Sequence, residues 1–168
     1  MGLLRRRKGA EPVRFKMREK LLSIGDDYWI EDDSGDKVFK VNGKALRVRD
    51  TWVIEDRDGH EVAKIRERKL SVRDAVTVEA GGREAKVKKA LVGIRDRFHV
   101  DVDDGPDLKI HGNVVDHEYE IERDGDTVAE ISKRWFRVRD TYGVEVHDAS
   151  ITPLIPAITV AVDALTRH

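Results

Sequence analysis

The feature that most constrains this chain is a repeat. Val38 to Asp50, Val62 to Asp74 and Val128 to Asp140 follow one pattern of identical length, an alternating apolar run and then a second run closing on Val-Arg-Asp. A weaker copy runs from Lys86-Val87 to Ile94-Arg95-Asp96, and a fainter one spans Leu108 to Asp116. From Asp50 to Asp74 to Asp96 the period is 24 and then 22 residues, too short for a strand–helix–strand crossover. Antiparallel strands are what remains.

The punctuation agrees. Asp33-Ser34-Gly35, Asp58-Gly59, Gly81-Gly82, Asp104-Gly105 and Asp124-Gly125 precede the copies. Asp-Gly between apolar runs marks a hairpin, because glycine takes positive φ without steric penalty. Short alternating runs follow the copies, as in Trp52-Val53-Ile54 and Val76-Thr77-Val78. Such alternation reads as half-buried strand. Strands are expected near 13–18, 27–31, 37–41, 46–49, 51–56, 61–67, 70–73, 75–80, 83–89, 98–102, 107–111, 117–122, 127–134 and 141–147. A brief helical turn at 19–24 is the alternative for that link. Many short strands with regular turns favour a sandwich or a barrel. The repeated Arg-Asp pair reads as a corner, in which Asp bonds backbone two residues on. Four copies of a catalytic pair would demand four active sites.

From Ala149 the texture changes. Ile151, Leu154, Ile155, Ile158, Val160, Ala161, Val162 and Leu165 cover nearly every direction of a helical wheel. The pattern predicts a helix over about 151–166, capped by Ser150 or Thr152, with Pro153 in its first position. A helix apolar all round is either a membrane span or enclosed by protein. The uninterrupted apolar stretch falls well short of the ~20 residues a span needs, and Asp163 interrupts it. Enclosure by the strands is therefore expected. Thr159 and Asp163, one turn apart, are expected to face one partner at a rim.

Composition narrows the function classes. There are no cysteines, so disulfides, zinc-thiolate sites and cysteine nucleophiles are excluded. The 32 basic and 33 acidic residues nearly cancel, which argues against a general nucleic-acid binder. Residues 1–12 read as a flexible basic arm around Arg5-Arg6-Arg7-Lys8, and 13–168 as one domain. No apolar run follows those charges, as a signal peptide requires, so a cytoplasmic protein is expected, with contact to a membrane periphery as an option.

The chain is similar to the LURP-one-related proteins of the tubby C-terminal-like superfamily, distant relatives of the phospholipid scramblases. The resemblance rests on Met17-Arg18-Glu19-Lys20, Ser23-Ile24-Gly25-Asp26-Asp27-Tyr28-Trp29-Ile30 and Val41-Asn42-Gly43-Lys44-Ala45-Leu46. It continues through Asp116-His117-Glu118-Tyr119-Glu120-Ile121, Ile131-Ser132-Lys133-Arg134-Trp135-Phe136 and Arg139-Asp140-Thr141-Tyr142-Gly143-Val144. It implies a mainly β fold, a closed antiparallel barrel of about twelve strands enclosing a hydrophobic C-terminal α-helix. Superfamily relatives bind phosphoinositides or are linked to lipid movement and calcium. No tubby-type lipid motif aligns residue by residue, and the cysteine-rich acylation segment of scramblases is missing.

No residue set reads as catalytic, and no cofactor is implied. Asp116-His117-Glu118 carries acid/base side chains, yet adjacent strand residues point to opposite faces. His117 is expected at a corner. The six histidines show no helical i, i+4 zinc spacing. Asp101, Asp103, Asp104 and Asp107 lack EF-hand spacing, and Glu145, Asp148, Asp140 and Asp163 form a second acidic group to consider for calcium. No metal site is assigned. Trp29, Trp52 and Trp135 read as core or rim packing.

Basic side chains are the remaining candidates. Lys64, Arg66, Lys86, Lys88, Lys89, Lys133 and Arg134 lie where strand rows can align them for phosphate or a lipid headgroup. Lys86 and Lys88 share one face, with Val87 opposite. The expected function is a non-enzymatic binding module whose basic barrel face meets anionic phospholipid headgroups or an acidic partner protein, with no specific nucleic acid. The alternatives are small-molecule binding or catalysis at the barrel mouth, and a protein-interaction scaffold.

Overall fold

Alternate side chains of the strands are buried, which is how a sheet closes around a core. In the computed structural model, which describes residues 12–18, 27–42, 51–68, 75–90, 97–136 and 140–166, the strands are β1 (Val13–Arg18), β2 (Tyr28–Asp32), β3 (Lys37–Asn42), β4 (Thr51–Glu55), β5 (Glu61–Arg68) and β6 (Ala75–Ala80). They continue as β7 (Arg83–Ala90), β8 (Arg97–Val102), β9 (Leu108–Asn113), β10 (Glu118–Arg123), β11 (Asp126–Ser132) and β12 (Thr141–Val146). Each pairs antiparallel with its sequence neighbour. β1 then pairs with β12, from Val13↔Val146 to Arg18↔Thr141, and closes the barrel. Closure leaves no sheet edge for another chain to extend.

The hairpins are built as their residues require. Gly35, Gly59 and Gly125 take positive φ of 82°, 84° and 85°. Aspartate-to-backbone bonding of the kind expected at the corners is seen at two hairpins. Asp32 Oδ1 accepts from the N–H of Ser34 and Asp36, and Asp56 Oδ1 from those of Asp58 and His60. Asp50, Asp74 and Asp96 lie outside the described residues. Asp140, the last corner aspartate, has φ of 60°. The expected strands 46–49 and 70–73, the possible turn at 19–24 and the basic arm up to residue 11 also fall outside the described residues.

The helix α1 (Leu154–Thr166) fills the barrel, with every residue from Leu154 to Leu165 buried. It starts three residues later than the pattern predicts. Pro153 has no N–H to give the Ala149 carbonyl, so Thr152 takes it through both N and Oγ1. The chain there tightens into a 3₁₀ turn, Ala149–Ile151, and α1 begins beyond it. Asp148 caps that 3₁₀ turn. Its carboxylate accepts from Ser150 N and Oγ and pairs with Arg123. The Ser150 bonds first, and Arg123 with them, hold the Asp148 pKa at about 2.

The barrel has two unlike ends. At the turn end, the hairpins 33–36, 56–60, 103–107 and 124–126 carry nine aspartates against one arginine. β12 finishes at this end, so α1 enters here and runs to the opposite end. Among the described residues, no helix is long and apolar enough to cross a membrane.

Candidate functional site

The basic residues singled out by sequence are dispersed around the barrel but concentrated at one end of it. Arg66 and Lys86 flank Thr77 in a single cross-strand row, Arg66↔Thr77↔Lys86. Two strand spacings, roughly 10 Å, separate the two cations. Lys88 lies one row nearer the end, paired with Asp101 at 2.8 Å. That ion pair and the adjacent His99 hold the Asp101 pKa below the usual carboxylate range, Lys88 being the larger cause. Val87 points into the core and is fully buried, as alternation requires. Lys89, next along, falls on the inward parity opposite Phe98 at the barrel end.

Lys133 and Arg134 follow the end of β11 and so reach the same end of the barrel. They stand on its other side, with β8, β9 and β10 intervening between β7 and β11. The seven residues therefore do not form one face, because the strands bearing them are not neighbours. Arg66, Lys88, Lys89, Lys133 and Arg134 lie toward that end, and Lys86 is mid-strand on β7. Lys64 stands apart, farther along β5, with its ammonium 3.3 Å from Glu61.

Thr77 is the residue that sequence reasoning passes over. It faces outward yet is 6% exposed, and its Oγ1 has no hydrogen-bond partner among the described residues. A buried hydroxyl left unpaired costs roughly 1–3 kcal/mol. The row thus offers two outward cations, with the Thr77 hydroxyl sealed between them and Asp101 in register with Lys86 on its other side.

A second constellation lies inside the same end. Asp163 on α1 is 6% exposed. It sits near the helix C-terminus, where the dipole disfavours a negative charge, so propensity does not place it there. Tyr142 donates its hydroxyl to Oδ2 at 2.7 Å, and His117 Nε2 lies 2.9 Å from Oδ1. The His117 ring stacks on Tyr142 with centroids 4.2 Å apart. His117 does sit at a corner, with φ of 53°. Nearby, burial first and the Asp163 charge second push the Tyr119 phenol well above its ordinary pKa. Thr159 does not share this partner; its hydroxyl donates to the Pro156 carbonyl. Tyr142→Phe should lower unfolding free energy by about 2 kcal/mol, the range for a bond to a buried charged acceptor. A urea melt measures it, and a change under about 0.5 kcal/mol would contradict the assignment.

Most of the acidic residues considered for calcium have protein partners. Asp148 is bound to Arg123, Asp163 to Tyr142 and His117, and Glu145 to Arg14. In the 101–107 loop, Asp107 Oδ1 accepts the Val102 N–H and Asp101 pairs with Lys88, while one oxygen of each also lies with His99 in a group within 4.8 Å. Open recesses do occur, one of about 530 Å³ outside β9 to β11 beside Glu118, Glu130 and Trp135. The barrel axis itself is taken by α1.

The family model of the LURP-one-related proteins matches residues 13–163, nearly all of the chain. The chain belongs to the LURP-one-related family. No curated protein matches. A protein from Arabidopsis thaliana with an X-ray structure superposes with a TM-score of 0.62 at 18% identity, over 94% of this chain and 93% of that one. That likeness shows the fold. Several of the residues that carry the family resemblance acquire physical roles here. Glu118 accepts from Ser132 Oγ at 3.1 Å and from the Lys133 N–H at 3.0 Å. This bend lays Trp135 and Phe136 over Gly143, where a Cβ would come within 2.7 Å of the Trp135 ring. Arg14 and Lys16 then cover the Trp135 and Phe136 rings. Trp52 is core and Trp29 is partly buried under Lys37, so all three tryptophans pack as expected.

Proposed function

We propose that this LURP-one-related protein is a non-enzymatic binding module whose basic barrel end meets phosphate groups of an anionic lipid surface. The observation that carries the reading is the row Arg66–Thr77–Lys86, which sets two outward cations on either side of Thr77. Phosphate oxygens accept from guanidinium and ammonium donors alike. The polarity of the barrel supports it. Aspartate-rich turns at the far end would be repelled by an anionic surface, which favours approach by the basic end. The occupied axis disfavours a small-molecule site within the barrel.

Binding of this kind is electrostatic and weakens with salt. The test is co-sedimentation with vesicles of phosphatidylcholine alone or with added phosphatidylserine. Binding is expected only with the anionic lipid. Each lysine near such a surface contributes about 1 kcal/mol, so Arg66→Glu with Lys86→Glu should weaken binding roughly 30-fold or more. Lys64→Glu should change it little. Equal binding to both vesicle types, or none at low salt, would refute the lipid reading.

A further inference from the structure

One cross-strand row on the outside of the barrel is arranged against its own electrostatics. Glu120↔Glu130 and Glu130↔Glu145 are direct register pairs on β10, β11 and β12. Like charges directly opposite one another destabilise a sheet. Arg14, the register partner of Glu145 on β1, answers one end of the row by binding Glu145 Oε2. The other oxygen, Oε1, points toward His147.

His147 completes the group. Its backbone N–H donates to the Val128 carbonyl at 2.8 Å, which fixes the residue beside β11. Its Nε2 lies 3.4 Å from Glu145 Oε1 and 3.5 Å from Glu130 Oε2. That nitrogen is sealed from solvent and makes no hydrogen bond. The three donor atoms all lie within 4.8 Å of one another. Ligands about 2.0–2.2 Å from a tetrahedral zinc ion stand roughly 3.3–3.6 Å apart. The two imidazole–carboxylate separations fall in that range, too long for good hydrogen bonds and right for edges around a shared ion.

Other histidine–carboxylate groups on the barrel differ on this point. His111 Nε2 is 2.8 Å from Glu122, and His99 Nε2 is 2.9 Å from Asp101, so those nitrogens are already engaged. His60 is far more exposed and lies in a hairpin turn.

We propose that Glu130, Glu145 and His147 bind a divalent transition-metal ion of the zinc class, between β11 and β12. The imidazole supplies the nitrogen ligand that such ions prefer over magnesium or calcium. Glu130 and Glu145 supply one oxygen each, and Arg14 holds Glu145 in place while leaving Oε1 toward the ion. A fourth position remains for water or an incoming ligand. The ion would relieve the repulsion along the glutamate row. The site lies toward the turn end, away from Arg66, Thr77 and Lys86, and does not depend on the lipid reading.

The test is calorimetric titration of zinc chloride into the untagged full-length chain, with thermal melts alongside. One ion per chain is expected, and a melting temperature that rises with zinc. His147→Gln should weaken binding at least about a hundredfold, and Glu130→Gln at least about tenfold. His111→Gln should leave it unchanged. Melts of each variant without zinc confirm that it folds. No heat at about 100 μM zinc, or equal binding by His147→Gln and the parent chain, would overturn the proposal and leave a plain ion-pair cluster.

Discussion

Ile158→Asp is expected to abolish cooperative folding. Ile158 sits at the middle of α1, fully buried, on a helix packed against β5, β6 and β7. No face of that helix is turned to solvent, so a new carboxylate there has nowhere to go. Moving an unpaired charge into such a site costs several kcal/mol even after relaxation. Losing the isoleucine adds roughly 2–5 kcal/mol more. A domain of this size has about 5–15 kcal/mol in total, and the loss consumes most or all of it. Asp163 shows what a carboxylate on this helix needs, namely Tyr142 and His117 within bonding distance. Circular dichroism on heating measures the effect. The variant should lack the sigmoidal transition of the parent, while Ile158→Val loses only about 1 kcal/mol. A parent-like melt for Ile158→Asp would mean that α1 is not enclosed.

The helix is legible in the sequence because enclosure leaves a mark on every residue. A wheel apolar in all directions has two explanations, and stretch length chooses between them. The strands are legible because the barrel needs only local rules, period-two burial and Asp-Gly turns, repeated along the chain. The circle of neighbours follows, since each hairpin joins adjacent strands. The start of α1 is misread because Pro153 fits a first helical turn as well as it blocks the turn before it. His117 and Asp163 each stand out alone, yet their pairing spans 46 positions and follows no spacing rule. The same holds for Glu130, Glu145 and His147, which depend on the register of β11 against β12. Lys86 and Lys88 can be assigned a face from alternation alone. Lys133 does not share that face, because β8, β9 and β10 stand between β7 and β11. Thr77 looks like an ordinary strand threonine, because its meaning comes from the two cations beside it.

Gly112→Ala tests how closely β9 and β10 are locked, and it should be among the most damaging single-methyl changes in the molecule. Gly112 has φ of 129°, a region that side chains with a Cβ rarely enter. An added Cβ would lie 2.7 Å from the Glu118 carbonyl oxygen and 2.8 Å from Tyr119 Cα. Both are backbone atoms of the paired strand, in register at Gly112↔Tyr119, so no rotamer change relieves them. Relief requires parting the ladder where it delivers His117 and Tyr119 toward Asp163. Backbone strain of about 1–3 kcal/mol and the displaced pairing together should cost about 4 kcal/mol. Gly125→Ala is the matched control, with positive φ of 85° but nothing within 4 Å of the new methyl. It should lose only about 1–2 kcal/mol, the conformational part alone. Urea midpoints for the two variants separate the terms. If Gly112→Ala proved no worse than Gly125→Ala, close approach of the two backbones would not be what requires glycine there, and the strands would have room that this packing denies them.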